Sequence, residues 1–188
     1  MKLKEIDQIV EALLFASPEP LTQKKINSIF DKDPPNLEFH IKKLINKYSK
    51  QNHGIEVLNI AGGFQIRTKP DFDIYVRKLL NNSGQLYLSQ AALETLSIIS
   101  YKQPISKPDI ESIRGVDCGG VLKTLLKKSL IIIKGRQDSP GRPLLYKTTS
   151  EFLQVFGLNR LSDLPKLKEI SEILEEQPAL TEQIDAFK

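Results

Sequence analysis

Apolar residues recur at helical spacing near the start of the chain. Ile6, Ile9, Val10, Leu13 and Leu14 fall at i, i+3, i+4, i+7 and i+8, which predicts an amphipathic helix over residues 5–16. Ser17-Pro18-Glu19-Pro20 stops it, because proline lacks a backbone donor and pushes its predecessor out of the helical region. Thr22 is placed to cap a second helix through Phe30. After the Pro34-Pro35 break, Asn36 is placed to cap a third, carrying Leu37, Ile41, Leu44, Ile45 and Tyr48. Gly54 ends this helical stretch. Ile55–Ile60 and Phe64–Thr68 then read as two strands, with Ala61-Gly62-Gly63 as the turn of a hairpin. Asp71 to Leu80 returns to helical spacing and gathers Phe72, Tyr75, Val76, Leu79 and Leu80 on one side.

The order then repeats. Asn81-Asn82-Ser83-Gly84 has the composition of a flexible boundary. Ser89 caps a predicted helix over 90–101, Ser106 or Lys107 opens a short one ending near Arg114-Gly115, and a third runs from Gly119 to Lys128. Leu130–Gly135 and Leu144–Thr148 pair as strands around a tip from Arg136 to Pro143, and Ser150 is the expected cap of a short helix over Glu151–Phe156. The sequence itself repeats: EALLFASPEPLTQKKI at 11–26 is echoed by ETLSIISYKQPISKPDI at 94–110. A period of roughly 80 residues is too long for a solenoid unit and suits two copies of one small domain. Three helices and a hairpin, twice over, predict a mainly α (α+β) fold of two tandem winged-helix domains, residues 1–84 and 85–167. The charged tail 168–188 carries Ile170, Ile173 and Leu174 but little to bury beyond Gln177, which predicts disorder there.

Composition narrows the class. The 188 residues carry a net charge of +4, mildly basic, which permits nucleic-acid contact without requiring it. One cysteine, Cys118, rules out an internal disulfide framework and a cysteine-built metal site, and fits a reducing compartment. Glu5, Asp7 and Glu11 interrupt the N-terminal apolar residues, so neither a signal peptide nor a membrane span is expected. His40 and His53 are the two histidines, and neither has a Cys or carboxylate at ligand spacing. No GxxxxGK[ST] loop occurs. Gly119-Gly120 opens a helix, where free N–H groups could receive a phosphate or the glycines could form a tight turn. The expectation is a chain with no catalytic residues, metal or cofactor.

Several runs resemble one family. EALLFAS at 11–17, GGFQIRT at 62–68, IRGVDCGGVLKTLLKKSLI at 113–131, GRQDSPGRPLLYKTT at 135–149, EFLQVFGL at 151–158 and DLPKL at 163–167 are together similar to the segregation and condensation protein B family, across about residues 11–167. The family often has glycine where Ser129 and Lys147 stand, so Ser129 is expected in a left-handed backbone conformation. The resemblance implies a non-enzymatic homodimer, paired mainly through its N-terminal domain. It also implies binding to the kleisin subunit, segregation and condensation protein A, and through it to the SMC ATPase. The expected role is chromosome condensation and partition in cell division, in the cytoplasm and at the nucleoid.

The candidate surfaces are apolar or basic. Phe152, Val155, Phe156 and Leu158 either close the second core or receive a kleisin segment. Phe72, Tyr75 and Val76 are candidates for pairing two protomers. Lys134, Arg136 and Arg142 in the second hairpin are candidates for a carboxylate, within the chain or on a partner, or for DNA. Gly119–Lys128 holds three lysines but no Arg, Asn or Gln, a poor set for reading bases. DNA contact is therefore expected to be weak and sequence-blind, or absent. The competing reading is a winged-helix transcriptional regulator.

Overall fold

The first helices form where apolar stripes and caps coincide. The computed structural model describes residues 3–30, 32–50, 52–80 and 88–166; the expected boundary at 81–84 and the tail 168–188 lie outside the described residues. In the first copy, α1 (Leu3–Ala16), α2 (Gln23–Ile29) and α3 (Leu37–Tyr48) precede β1 (Ile55–Ile60) and β2 (Gly63–Thr68). Thr22 accepts from the Lys25 amide and Asn36 from the Phe39 amide, each satisfying a donor the helix leaves free. Val10, Leu14, Ile26, Ile41 and Leu44 close against Val57 of β1 as one core.

The second copy builds its own core. It comprises α5 (Gln90–Lys102), β3 (Ile105–Ser106), α6 (Lys107–Arg114), α7 (Gly119–Lys127), β4 (Ile131–Arg136), β5 (Leu144–Thr148) and α8 (Ser150–Val155), with α4 (Asp73–Leu79) lying between the copies in sequence. Leu96, Ile99, Ile110, Leu122, Leu125, Tyr146 and Phe152 are buried together. The duplication reaches individual positions: Leu21 and Ile26 in the first core and Ile105 and Ile110 in the second stand 84 residues apart. Helix, helix, helix and hairpin in each copy make two winged-helix folds.

Three local readings change. A two-residue strand, β3, joins the second hairpin in the order β3-β5-β4, with Ile105 opposite Tyr146. Its first-copy counterpart is a single bridge from Leu21 to Phe64. The predicted helix over Asp71–Leu80 divides into a 3-10 turn, Pro70–Phe72, and α4. Thr149, rather than Ser150, caps α8 by accepting from the Phe152 amide. Ser129 keeps the left-handed conformation expected of it, at φ 56.

Two sets of polar contacts hold the first copy. An acid–base clamp joins α1 to α3: Asp7 accepts from His40 Nδ1 at 2.5 Å and pairs with Lys43 at 2.9 Å. Glu11 pairs with Lys47 at 2.8 Å and accepts from the Tyr48 hydroxyl. The tip of the first hairpin meets the end of α8. Ala61 N donates to Leu158 O at 2.9 Å, Gly62 N to Asn159 Oδ1 at 2.9 Å, and Arg67 Nη2 to Gln154 O at 2.9 Å. Asn159→Ala removes one of these acceptors. Because such a bond contributes about 1 kcal/mol, amide exchange at Gly62 is expected to quicken roughly 5-fold, as read by NMR hydrogen exchange, while exchange in α5 stays unchanged.

The clamp also sets a pH response. The His40 hydrogen bond, followed by that of Lys43, holds the Asp7 carboxyl below its ordinary value of 3.8. Lys47 and then Tyr48 hold Glu11 below 4.5. Depressed carboxyl values stabilise the fold above the unfolded value, and this contribution disappears as the pH falls through the folded one. First-copy stability is therefore expected to be level above pH 4.5 and to fall below 3.8. Thermal unfolding of the wild type and of Asp7→Asn from above pH 4.5 to well below 3.8 checks it: the variant's melting temperature depends less steeply on pH.

Candidate functional site

A helix whose apolar side chains face water marks the first surface. α4 has no buried residue. Ile74, Tyr75 and Leu79 are 66%, 71% and 81% exposed, and Phe72 and Leu80 are also exposed. Val76 is half-buried. Asp73 and Arg77 pair at 2.7 Å along the same helix. The candidates Phe72, Tyr75 and Val76 thus lie on an element that contributes little to its own core. Ile74 belongs with them; it falls off the stripe counted in the sequence, and its exposure is what reveals it.

The second surface is a groove between α5 and α8. Phe152 is buried and Leu158 is packed against the same core, so these two close the fold. Val155 and Phe156 remain exposed, with the Phe156 ring 4.8 Å from that of Phe152. Phe156, Leu93, Leu96, Tyr101 and Leu164 line a groove of about 210 Å³. It shares Ser100, Tyr101 and Leu164 with an open hollow of about 560 Å³ that ends at Lys166. The sequence reading missed Leu93 and Tyr101. The signal was present: α5 carries apolar residues nearly all round (Leu93, Leu96, Ile98, Ile99, Tyr101), a pattern that asks for a second contact face.

The second hairpin holds its cations at an ordered tip. Pro140 and Gly141 form a tight turn: Arg142 N donates to Ser139 O at 2.9 Å and Gly141 takes φ 80, the chemistry of a Pro-Gly turn. Arg136 Nη1 donates to Arg142 O at 3.0 Å. Among the described residues, Lys134, Arg136 and Arg142 pair with no carboxylate, so the intramolecular use of Arg142 does not appear there.

The remaining titratable groups have structural partners. At the start of α7, Gly119 N donates to Asp117 Oδ2 at 3.1 Å and Cys118 N to Glu111 Oε1 at 2.9 Å. Carboxylates already fill the place a phosphate would take. Lys107, pushed up to about 12 by Asp117 and Glu111, balances them. Burial raises the Cys118 thiol, the opposite of what an activated nucleophile needs. Among the described residues, no group of three His, Cys, Asp or Glu side chains is placed to hold a metal ion, and no helix is long and apolar enough to cross a membrane.

Similarity to known proteins follows the whole described chain. The family model for segregation and condensation complex subunit ScpB matches residues 8–167. Segregation and condensation protein B of Syntrophotalea carbinolica is 45% identical over 186 residues, covering 99% of this chain and 94% of that protein. The protein of the same name from Clostridium tetani is 44% identical, covering 90% of this chain and 89% of that one. A solved structure of a dimer of the ScpB N-terminal domain complexed with ScpA peptide is 31% identical and covers 41% of this chain and 96% of that one, with a TM-score of 0.37; a score this low adds nothing to the geometry above. The chain belongs to the segregation and condensation complex subunit ScpB family.

Proposed function

We propose that this chain is a non-catalytic accessory subunit that forms a homodimer and binds the kleisin, segregation and condensation protein A, of an SMC complex. It thereby supports chromosome condensation and partition, in the cytoplasm and at the nucleoid, with the SMC ATPase reached through the kleisin. The observation that carries the reading is α4, whose large apolar side chains Ile74, Tyr75 and Leu79 are exposed and which has no buried residue. Exposed apolar surface of this kind is stabilised by covering it, and a second copy of the chain brings the same patch to the same place. Residues 1–84 are assigned to dimerisation.

Residues 85–167 are assigned to the kleisin. An amphipathic helix seats best in a groove with apolar anchors and a polar rim. The groove between α5 and α8 has Phe156, Leu93 and Leu164 as anchors, with Ser97, Ser100 and Tyr101 at its edge. Two protomers make the subunit bivalent, which raises affinity for one kleisin without new contacts. The regulator reading is disfavoured because α7 offers no Arg, Asn or Gln to base edges; DNA contact is weak and sequence-blind, or absent.

Light scattering of the full chain, alone and with the kleisin from the same cell, tests both parts. A dimer at about micromolar concentration and a stable complex with the kleisin are expected. A monomer that forms no complex would sink the reading, and so would ATP turnover by the purified chain.

A further inference from the structure

The same helix has opposite electrostatics in the two copies. In α3 the lysines are spent within the fold: Lys42 pairs with Glu38 at 3.0 Å, Lys43 with Asp7 at 2.9 Å and Lys47 with Glu11 at 2.8 Å. In the second copy, Gly119 to Pro143 contains six cations and one acid, Asp138. Lys123, Lys127 and Lys128 on or just after α7, and Lys134, Arg136 and Arg142 in the wing, pair with no carboxylate among the described residues. All are exposed except Lys128, which is half-buried.

Their placement is set by the core. Leu122 and Leu125 are buried, so Lys123 and Lys127, one turn apart, project from the opposite side of α7. The wing tip is held by the bonds from Arg142 N to Ser139 O and from Gln137 N to Pro143 O, both 2.9 Å, which fixes Arg136 and Arg142 on a short ordered ribbon. An outward helix face and a hairpin tip are convex elements; together they suit a long, regular array of negative charge better than a single buried carboxylate.

We infer that α7 and the second wing form a sequence-blind face for the phosphates of duplex DNA. Lysine binds phosphate as a point charge. α7 offers Thr124 between its two outward lysines and no side chain suited to bidentate base recognition, so the face binds backbone and ignores sequence. Asp117 and Glu111, near the start of α7, share Lys107 as their partner at 2.9 and 3.3 Å, which offsets one of their two charges. The face is separate from the groove between α5 and α8, and the inference stands independently of the kleisin reading.

Fluorescence anisotropy of the full chain with a labelled random-sequence duplex of about 30 base pairs tests it. Neutralising four or five phosphates gives a slope of log affinity against log salt of roughly −4. Lys123→Gln/Lys127→Gln and Arg136→Gln/Arg142→Gln should each reduce that slope by about 2 and weaken binding about 10-fold or more at low salt. Lys42→Gln/Lys47→Gln in α3 should keep wild-type binding. Kleisin binding, measured on the same variants, should be unchanged, which separates the two readings. The inference is overturned by no binding at low salt, an unaltered slope in both second-copy variants, equal loss in the α3 variant, or tighter binding of labelled polyglutamate than of the duplex. The last would assign the face to an acidic protein. A preference of about 10³-fold for one duplex sequence would also defeat it, in favour of a regulator.

Discussion

Ile74→Asp combined with Leu79→Asp is expected to convert the dimer to a monomer, weakening self-association at least about 100-fold, since each buried, unpaired carboxylate costs several kcal/mol at an interface. The physical contrast lies in where the charges go. In the isolated protomer both positions face water, at 66% and 81% exposure, so the aspartates remain hydrated and stability changes by only about 0.5 kcal/mol. Across a two-fold axis each substitution acts twice. Sedimentation measures the loss of dimer, and thermal unfolding at a concentration where the wild type is already monomeric measures the intact fold. Tyr75→Phe, which keeps the apolar area, should keep the dimer. If the double variant still sediments as a dimer, α4 is not the pairing surface.

How much of this was legible in the chain depends on the range of the interaction. α1, α3 and α7 announce themselves because their apolar residues repeat at helical spacing and their ends carry Asn36, Pro18 or Gly119. The strand β3 did not, since two residues have no period. Ile105 pairs with Tyr146 for reasons that lie 41 residues away. The choice between Thr149 and Ser150 as the cap of α8 is equally hidden, because both have the right side chain and the entry angle of the chain selects one. Ser129 was readable because departing from a glycine leaves the backbone requirement in place.

The candidate surfaces divide along the same line. Phe152, Val155, Phe156 and Leu158 are equally apolar in sequence, but α8 is six residues long and meets the core along one side. Phe152 and Leu158 turn inward, while Val155 and Phe156 are left at the groove. The clamp of Asp7, Glu11, His40 and Lys47 could not be read at all: polar side chains more than 30 residues apart carry no periodic signal. Its consequence is electrostatic as well as structural, because it pairs Lys43 and Lys47 of α3, whereas the lysines of α7 pair with no carboxylate among the described residues.

Two separate cores joined by a few hydrogen bonds predict two separable stabilities. Ile41 lies in the first core and Ile99 in the second, and both are fully buried. Ile99→Ala removes packing and leaves a cavity, a loss of about 3–4 kcal/mol, which corresponds to roughly 12–32 °C in the melting temperature of a domain of this size. Among the described residues the hairpin-to-α8 hydrogen bonds are three, together worth about 1.5–4.5 kcal/mol at the usual net value for each. That is too little to force a copy with its core intact to unfold with its neighbour. Hydrogen exchange resolved by segment should therefore show α5, α7 and β5 losing protection in Ile99→Ala while α1 and α3 keep theirs. Ile41→Ala should give the reverse pattern. Equal loss in both copies for either substitution would mean one cooperative unit, and the duplication would then be a feature of sequence alone. Selective loss would also give a clean tool: a chain with its first copy folded and its second copy opened, in which self-association persists while kleisin and duplex binding both fall.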